Sequence, residues 1–325
     1  MNVSTKPRFK IHLKLQLMLK DQQMEHMKYC VFMDVLGYGE LVKDVTKTTE
    51  QKIQALNSIY TNLASSLLNT INEINSVITD KIFIKSFSDC FYLESNNLLD
   101  LLFSCQRIFN DSFGFYINLP ESEYTPLIRG GFVKDWTVRF KDLSAIVNGQ
   151  DGTNPVGLGV ARAYWTSERT KLSGMRLIIS DEVIEDLKIK EYSRNGYNCF
   201  VQEYTYNNTL LNLYVERIQT NEENCPVNLY ELIWTETAMS SCTYDYVAQL
   251  KNIRQNFNDK SLRHFQKTAE VVLKGLLISE CKERSGKVFD NHKKELKKMI
   301  KNRTACSVQL TAMLVSWINF FKNYK

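Results

Sequence analysis

The sequence lacks paired cysteines, clustered histidines and long apolar segments. Its eight cysteines form no Cys-x-x-Cys pair and its four histidines are dispersed, so we expect reduced thiols and neither a zinc site nor a disulfide scaffold. The N-terminus has basic residues but no continuous apolar core, so no signal peptide is expected. The most apolar late stretch, residues 306–321, is interrupted by polar residues and short for a membrane span. These absences predict a cytoplasmic protein without stable membrane insertion.

Proline and glycine are scarce in the last third of the chain. Residues 228–325 contain no proline and only two glycines, and their apolar spacing predicts helices throughout. Between residues 251 and 303 there are 15 Lys or Arg against 6 Asp or Glu, a local balance of +9. Because the acidic residues are interspersed, the pattern favours the solvated face of a helical extension over a surface for nucleic acid. We therefore predict no nucleic-acid partner.

An apolar, strand-like run at residues 29–41 holds a carboxylate, Asp34, in its middle. Asp is rare inside strands because its charge is costly to bury, so a compensating group is expected, and we favour a metal ion. Gly37 and Gly39 follow, and we expect them to let the backbone turn tightly. A helical pattern at residues 48–67 comes next, so backbone N–H groups are expected to face an anion here.

A second carboxylate lies between two apolar runs at residues 81–93. Ser88 and Asp89 predict the tip of a β-hairpin, where a side chain is exposed to a ligand. Carboxylates on neighbouring strands would hold two Mg²⁺ or Mn²⁺ ions beside a triphosphate, as in-line displacement at phosphorus requires. The alternative is a hydrogen-bonded strand residue at Asp34 and an ordinary turn residue at Asp89. The coincidence of both with the glycines favours the metal site.

The order of predicted elements indicates the fold class. They are strands at 29–36, 126–133, 137–140, 176–180 and 210–218, helices within 48–79, 98–109, 156–172 and 183–187, and hairpins at 82–94 and around 195–196. This succession predicts an α+β fold, with a ferredoxin-like antiparallel sheet and covering helices.

Several of these segments also carry a family resemblance. Residues 32–39, Phe-Met-Asp-Val-Leu-Gly-Tyr-Gly, resemble the first metal-binding motif of the class III nucleotidyl cyclases, and residues 84–91, Ile-Lys-Ser-Phe-Ser-Asp-Cys-Phe, resemble the second. Residues 127–132, 157–164 and 175–180 fall in the order of the later cyclase strands and helix. The Phe-Ser-Asp and Arg-Gly-Gly variants are most similar to the pyrimidine cyclases of bacterial Pycsar antiphage systems.

The resemblance covers roughly residues 28–190, and its first two motifs are the specific ones. It implies the same ferredoxin-like fold, a homodimer with shared active sites, and a separate effector that binds the cyclic nucleotide. We accordingly divide the chain into an N-terminal helical segment at 1–27, a nucleotidyl cyclase catalytic domain at 28–220 and a helical C-terminal extension at 221–325. An antiviral role rests on the resemblance alone.

The resemblance also implies roles for residues near the two motifs. Two Mn²⁺ or Mg²⁺ ions would be bound by Asp34, Asp89 and the carbonyl of Val35. Phosphate oxygens would be held by backbone N–H groups in the turn after Asp34, at Leu36, Gly37 and Tyr38.

The predicted base is uracil. By the family resemblance, Lys85 aligns with the position that contacts the base in purine-using class III enzymes, where it comes from the partner subunit. A Lys offers only donors, which suits uracil or guanine oxygens. Asn154 falls near the second base-reading position. These residues favour UTP as substrate and cyclic UMP as product; a cytidylate or purine cyclase is the alternative. A solvated strand lysine and a loop asparagine are the structural alternatives.

The sequence departs from the family where many members carry an Asn and an Arg that stabilise the transition state. Counting from the Gly157 motif gives Ala161 and Trp165. Arg162, Arg169 or Lys171 is expected to take their place, since any guanidinium or ammonium aimed at the developing charge can serve. For Arg129 a phosphate contact and a structural ion pair both remain open. The departure also motivates a non-catalytic, nucleotide-binding dimer as an alternative function.

Overall fold

Strands and helices alternate along the part of the chain that the structure describes. The computed structural model describes residues 27–114, 127–141, 153–169, 173–187, 190–194, 197–206, 209–218, 229–235, 264, 267–272 and 275. Its elements in chain order are β1 Met27–Leu36, α1 Tyr38–Lys43, α2 Thr49–Val77, β2 Phe83–Phe87, β3 Cys90–Ser95, α3 Leu98–Gly114, β4 Leu127–Trp136, β5 Val138–Lys141, β6 Thr153–Val156, α4 Leu158–Arg169, β7 Leu177–Ser180, α5 Asp181–Leu187, β8 Lys190–Arg194, β9 Tyr197–Tyr206, β10 Thr209–Ile218 and β11 Leu229–Leu232.

Nine of these strands form one sheet, in the order β2-β3-β1-β4-β7-β11-β10-β9-β8, and β5 pairs with β6 separately. The first four strands of that order are antiparallel to one another. Apart from the short helix α1 after β1, they are connected as β1-α2-β2-β3-α3-β4, which is the ferredoxin-like arrangement. The predicted α+β class is therefore confirmed. Beyond β4 the sheet continues through a parallel pairing with β7.

The predicted helical segment at 48–79 is a single long helix, α2. It begins at a capping box, in which the Thr48 hydroxyl accepts from the Gln51 N–H and the Gln51 side chain accepts from the Thr48 N–H. Apolar residues three or four positions apart, such as Ile59 and Leu63, are buried against the sheet. The helical period in the sequence therefore predicted this element correctly.

Alternate residues of β1 face opposite sides of the sheet. Val31 and Met33 belong to the larger apolar cluster, which is shared with α2 and α3. Cys30 and Phe32 belong to a smaller cluster, which includes Ala163 of α4. Asp34 continues this second row, so its side chain lies on the α4 side of the sheet.

The closeness of α4 to the sheet depends on Gly131 in β4. A Cβ atom there would lie 2.2 Å from the carbonyl oxygen of Ala163 and 2.7 Å from the backbone nitrogen of Ser167. Both contacts are with backbone, so no side chain fits at this position without displacing α4. The second glycine of the Arg-Gly-Gly segment is thus explained by helix packing.

Two sequence predictions are wrong in detail. The short helix α1 was not predicted, and it contains Gly39, which was expected in a turn. Residues 228–325 were predicted to be helical throughout, but Leu229–Leu232 forms β11, which lies between β7 and β10 in the main sheet. A strand of the sheet therefore lies beyond the predicted boundary at residue 220.

The other sequence predictions differ in how far the structure describes them. The hairpin predicted around residues 195–196 is supported by the antiparallel pairing of β8 with β9, while residues 195–196 lie outside the described residues. So do residues 1–26 and most of 221–325, and the three-part division stays a prediction. Within the described residues, no helix has the length and apolar character needed to cross a membrane.

Candidate metal centre

The end of β1 and the β2–β3 hairpin bring the two predicted metal ligands together. Asp34 lies directly opposite Cys90 in the β1–β3 pairing, and Asp89 precedes Cys90 in the hairpin turn. The N–H of Val35 donates to the carbonyl of Asp89 at 3.3 Å, which ties the turn to β1. Ser88 adopts a positive φ of 52° in this turn. One ligand atom each of Asp34, Asp89 and Cys90 lies within 4.8 Å of the other two.

Asp34 carries its charge in a poorly solvated position, since its side chain is 16% exposed. Burial raises the pKa of Asp34 above its usual range, and the neighbouring Asp89 carboxylate raises it further, although the Arg129 guanidinium acts in the opposite direction. A divalent cation between the two carboxylates would offset both unfavourable effects. Carboxylates are also the ligands that Mg²⁺ and Mn²⁺ prefer, so this donor set fits the expected ions.

Cys90 is the third member of the group. Its thiol donates to Asp34 Oδ1 at 3.5 Å and to Asp89 Oδ1 at 3.7 Å. Burial, together with these two carboxylates, raises the pKa of Cys90 well above its usual range. The thiol is therefore protonated at neutral pH, and its single S–H is a weak donor shared between the two carboxylates.

Arg129 is the residue that the structure adds to this group. It lies opposite Asp34 in the β1–β4 pairing, and its Nη2 and Nε donate to Asp34 Oδ2 at 3.0 and 3.3 Å. Its Nη2 also donates to Glu168, in the last turn of α4. The sequence left a phosphate contact and an ion pair open for Arg129, and the structure places it in an ion pair. Glu168 carried no sequence signal, because its approach depends on where α4 crosses the sheet.

The backbone turns sharply after β1 at Gly37. This residue has φ 82° and ψ 1°, in the left-handed region, and its carbonyl accepts from the Leu41 N–H at the start of α1. Gly39 does not have a positive φ, and a Cβ atom there would meet nothing within 4 Å. Only the first of the two glycines therefore makes the turn.

Replacing Gly37 should weaken the turn. In Gly37→Ala, a side chain in the left-handed region should lower the free energy of unfolding by about 1–2 kcal/mol. The matched control is Gly39→Ala, which should be neutral or stabilise the protein by up to about 1 kcal/mol, because alanine favours a helix. Urea denaturation of both variants measures the difference. Equal destabilisation of the two would contradict a special role for Gly37.

Two aromatic residues pack against each other beside this turn. The rings of Tyr38 and Tyr60 meet edge to face, with centroids 6.5 Å apart. Burial and the adjacent Tyr38 raise the pKa of Tyr60 to about 12. At neutral pH the Tyr60 hydroxyl therefore keeps its proton. Leu36 is buried at the end of β1.

The two predicted base-reading residues lie in different sheets. Lys85 in β2 pairs with Tyr92, two residues from Cys90 along β3, so it lies on the same side of the sheet as Asp34. Asn154 lies in β6 and pairs with Phe140 of β5. The structure thus places Lys85 on the face of the sheet that carries Asp34, and Asn154 in the separate β5–β6 pair.

The predicted catalytic arginines lie on α4. The guanidinium of Arg162 lies between two carboxylates, donating to Asp135 at 2.6 Å and to Glu182 at 2.5 Å. Arg169 ends α4, and its side chain is outside the described part of the chain. Trp165 is 43% exposed, and Ala161 lies one turn before it. The catalytic roles of both arginines stay predictions.

Comparisons with known proteins give weak structural similarities. No protein-family model matches the sequence, and no curated protein matches it. The chain is similar to a bacterial light-regulated adenylyl cyclase, with 12% identity and a TM-score of 0.44 over 71% of this chain and 57% of that one. It therefore spans less than two thirds of that enzyme.

Two further similarities are to isolated cyclase structures. The first is a dimeric guanylyl cyclase domain of the RhoGC fusion protein from the fungus Blastocladiella emersonii, with 10% identity and a TM-score of 0.39 over 64% of this chain and 96% of that one. The second is an adenylate cyclase from Trypanosoma brucei, with 12% identity and a TM-score of 0.38 over 66% and 90%. The fold of this chain is defined by its own strand order.

Proposed function

We propose that this chain is a metal-dependent nucleotide cyclase that converts UTP into 3′,5′-cyclic UMP and pyrophosphate. The observation that supports the proposal is the proximity of the Asp34 and Asp89 carboxylates, within reach of one cation. A guanidinium and a glycine turn lie beside them. Carboxylates for divalent ions, together with donors for phosphate oxygens, are what transfer at phosphorus requires.

Each part of the site has a proposed role. Asp34, Asp89 and the carbonyl of Val35 would hold two Mn²⁺ or Mg²⁺ ions. When bound, such ions lower the pKa of the ribose 3′-hydroxyl and neutralise the triphosphate charge. Arg129 would donate to phosphate oxygens with its planar guanidinium. The backbone at Leu36, Gly37 and Tyr38 would supply further N–H donors.

The choice of UTP rests on the base-reading residues. The ammonium of Lys85 donates only, which suits the carbonyl oxygens of uracil, and the amide of Asn154 both donates and accepts. Because these residues lie in different sheets of one chain, we propose that a homodimer completes the site, with each subunit contributing to the other. Arg162 or Arg169 would supply the charge that stabilises the transition state.

The cellular setting follows from the family resemblance. We propose a cytoplasmic enzyme whose cyclic nucleotide is bound by a separate effector in antiphage defence. Phage infection of cells that carry the Asp34→Ala variant tests this role directly, since loss of protection must accompany loss of the cyclic nucleotide.

Incubation of the purified protein with Mn²⁺ and each of ATP, GTP, CTP and UTP tests the activity. Mass spectrometry of the products should show cyclic UMP from UTP, and removal of the metal by EDTA should abolish its formation. Cyclic CMP or a purine product would keep the cyclase proposal and overturn the choice of base. No product from any nucleotide would overturn both.

A second candidate function is a non-catalytic dimer that binds nucleotide. It is favoured by the apolar side chain of Ala161, where many class III cyclases carry a polar Asn. In that case equilibrium dialysis should show UTP bound in the presence of Mn²⁺, and the same sample should yield no cyclic product.

A further inference from the structure

Arg129 bridges two carboxylates that come from different layers of the fold. Asp34 reaches it from the neighbouring strand β1, and Glu168 reaches it from α4, which lies across the sheet. The three side chains are enclosed to different degrees: Arg129 is 18% exposed, Asp34 16% and Glu168 34%. The guanidinium therefore has a more buried, inner partner in Asp34 and a more exposed, outer partner in Glu168.

The inner partner is also the proposed metal ligand. Arg129 donates twice to Asp34 Oδ2, whereas Asp34 Oδ1 faces the thiol of Cys90. A divalent cation at Asp34 would compete with Arg129 for the same carboxylate and would repel the guanidinium. A partly buried guanidinium that lost its only acceptor would be strongly destabilised, so metal binding needs a second acceptor near Arg129.

We propose that Glu168 is a positioning residue that holds Arg129 at the edge of the site when Asp34 turns to the metal. This inference rests on the proposed metal-dependent function and extends it to a residue outside the two motifs. Glu168 is already hydrogen-bonded to Arg129, so the guanidinium needs only to give up Asp34. It then faces the space beside the carboxylates with donors free for a phosphate group.

The position of Glu168 depends on Gly131. The carbonyl of Ala163 and the backbone nitrogen of Ser167 lie against Gly131, and Glu168 follows immediately in α4. Gly131 and Arg129 are two residues apart in β4, so both face α4. The close crossing of α4 over β4 is therefore what carries the Glu168 carboxylate to the guanidinium.

The direct test is the affinity of the full-length protein for Mn²⁺ without nucleotide, followed by isothermal titration calorimetry. Glu168→Gln keeps the size of the side chain and removes its charge. A neutral amide accepts from a guanidinium more weakly than a carboxylate does, so Arg129 stays on the charged Asp34, and the Mn²⁺ dissociation constant should rise about fivefold or more. An unchanged constant would overturn the proposal.

A double-mutant cycle separates positioning from a simple loss of negative charge. In an Arg129→Met background there is no guanidinium to hold, so Glu168→Gln should change the Mn²⁺ constant by less than about twofold. If Glu168→Gln weakened Mn²⁺ binding equally in both backgrounds, Glu168 would act on the metal through space, and the proposal would be overturned.

The matched control is Glu73→Gln, which breaks a pair with Arg107 between α2 and α3. These helices cover the opposite side of the sheet, so Mn²⁺ binding should be unchanged. Asp34→Asn in the same titration distinguishes a failure of the proposed metal site from a failure of the proposed role of Glu168. If it binds Mn²⁺ as the unmodified protein does, the metal site itself is overturned. If only Asp34→Asn weakens binding, the role of Glu168 alone is overturned.

Discussion

Asp34→Asn should lower the rate of cyclic-nucleotide formation by about a thousandfold, because a neutral amide cannot hold a divalent cation as a carboxylate does. The amide has nearly the same shape and retains one acceptor for Arg129, so the fold should persist. Initial rates with saturating UTP and Mn²⁺, from quantified cyclic UMP, measure the loss. Asp89→Asn should show a loss of similar size, since the two carboxylates would share the ions.

Asp80→Asn is the control for this prediction. Asp80 is an exposed residue in the segment between α2 and β2, and its replacement should leave the rate unchanged. Far-ultraviolet circular dichroism should give the same spectrum for all three variants. Retention of more than about a tenth of the activity in Asp34→Asn would contradict the proposed metal role, since so small a loss corresponds to less than about 1.4 kcal/mol of transition-state stabilisation.

Glu231→Ala should lower the free energy of unfolding by about 3–5 kcal/mol, because it leaves a buried guanidinium unpaired. Glu231 in β11 is fully buried and Arg176, just before β7, is 6% exposed. The pair is bidentate, with Arg176 Nη2 donating to Glu231 Oε2 at 2.6 Å and Nε donating to Oε1. Since whole proteins are stable by about 5–15 kcal/mol, this loss is a large fraction of the total. Urea denaturation measures it.

The exposed pair of Glu73 with Arg107 provides the comparison. Its atoms are 2.8 Å apart, but Glu73 is 49% exposed, and Glu73→Ala should cost at most about 1 kcal/mol. Glu231→Gln, which keeps the hydrogen-bonding shape without the charge, should fall between the two. If Glu231→Ala were no more destabilising than Glu73→Ala, the buried pair would contribute no more to the free energy of unfolding than the exposed pair does.

The elements that the sequence predicted well are those with a long periodic pattern. The spacing of apolar residues in α2 extends over its 29 residues, and the capping residues mark its start. By contrast, β11 has four residues, Leu-Tyr-Glu-Leu, and so short an apolar segment does not distinguish a strand from a helix. Its identity is set by the two strands on either side, which are distant in sequence.

The residues of the candidate site also differ in how far the sequence alone could predict them. Asp34 and Asp89 were recognisable because a carboxylate is unusual inside a strand and exposed at a hairpin tip. Arg129 was recognisable as a basic residue at a strand, but its partner depended on the register between β1 and β4. Glu168 was not recognisable at all, because only the close contact of α4 with Gly131 brings it near Arg129.

The place of β11 in the sheet has a consequence for how the protein is made. Residues 229–232 lie between β7 and β10, so they leave the ribosome after both of these neighbours. Until then the nascent chain has an unpaired edge on each, and such edges pair readily with other chains. The main sheet can therefore become continuous from β7 to β10 only after residue 232 has been synthesised.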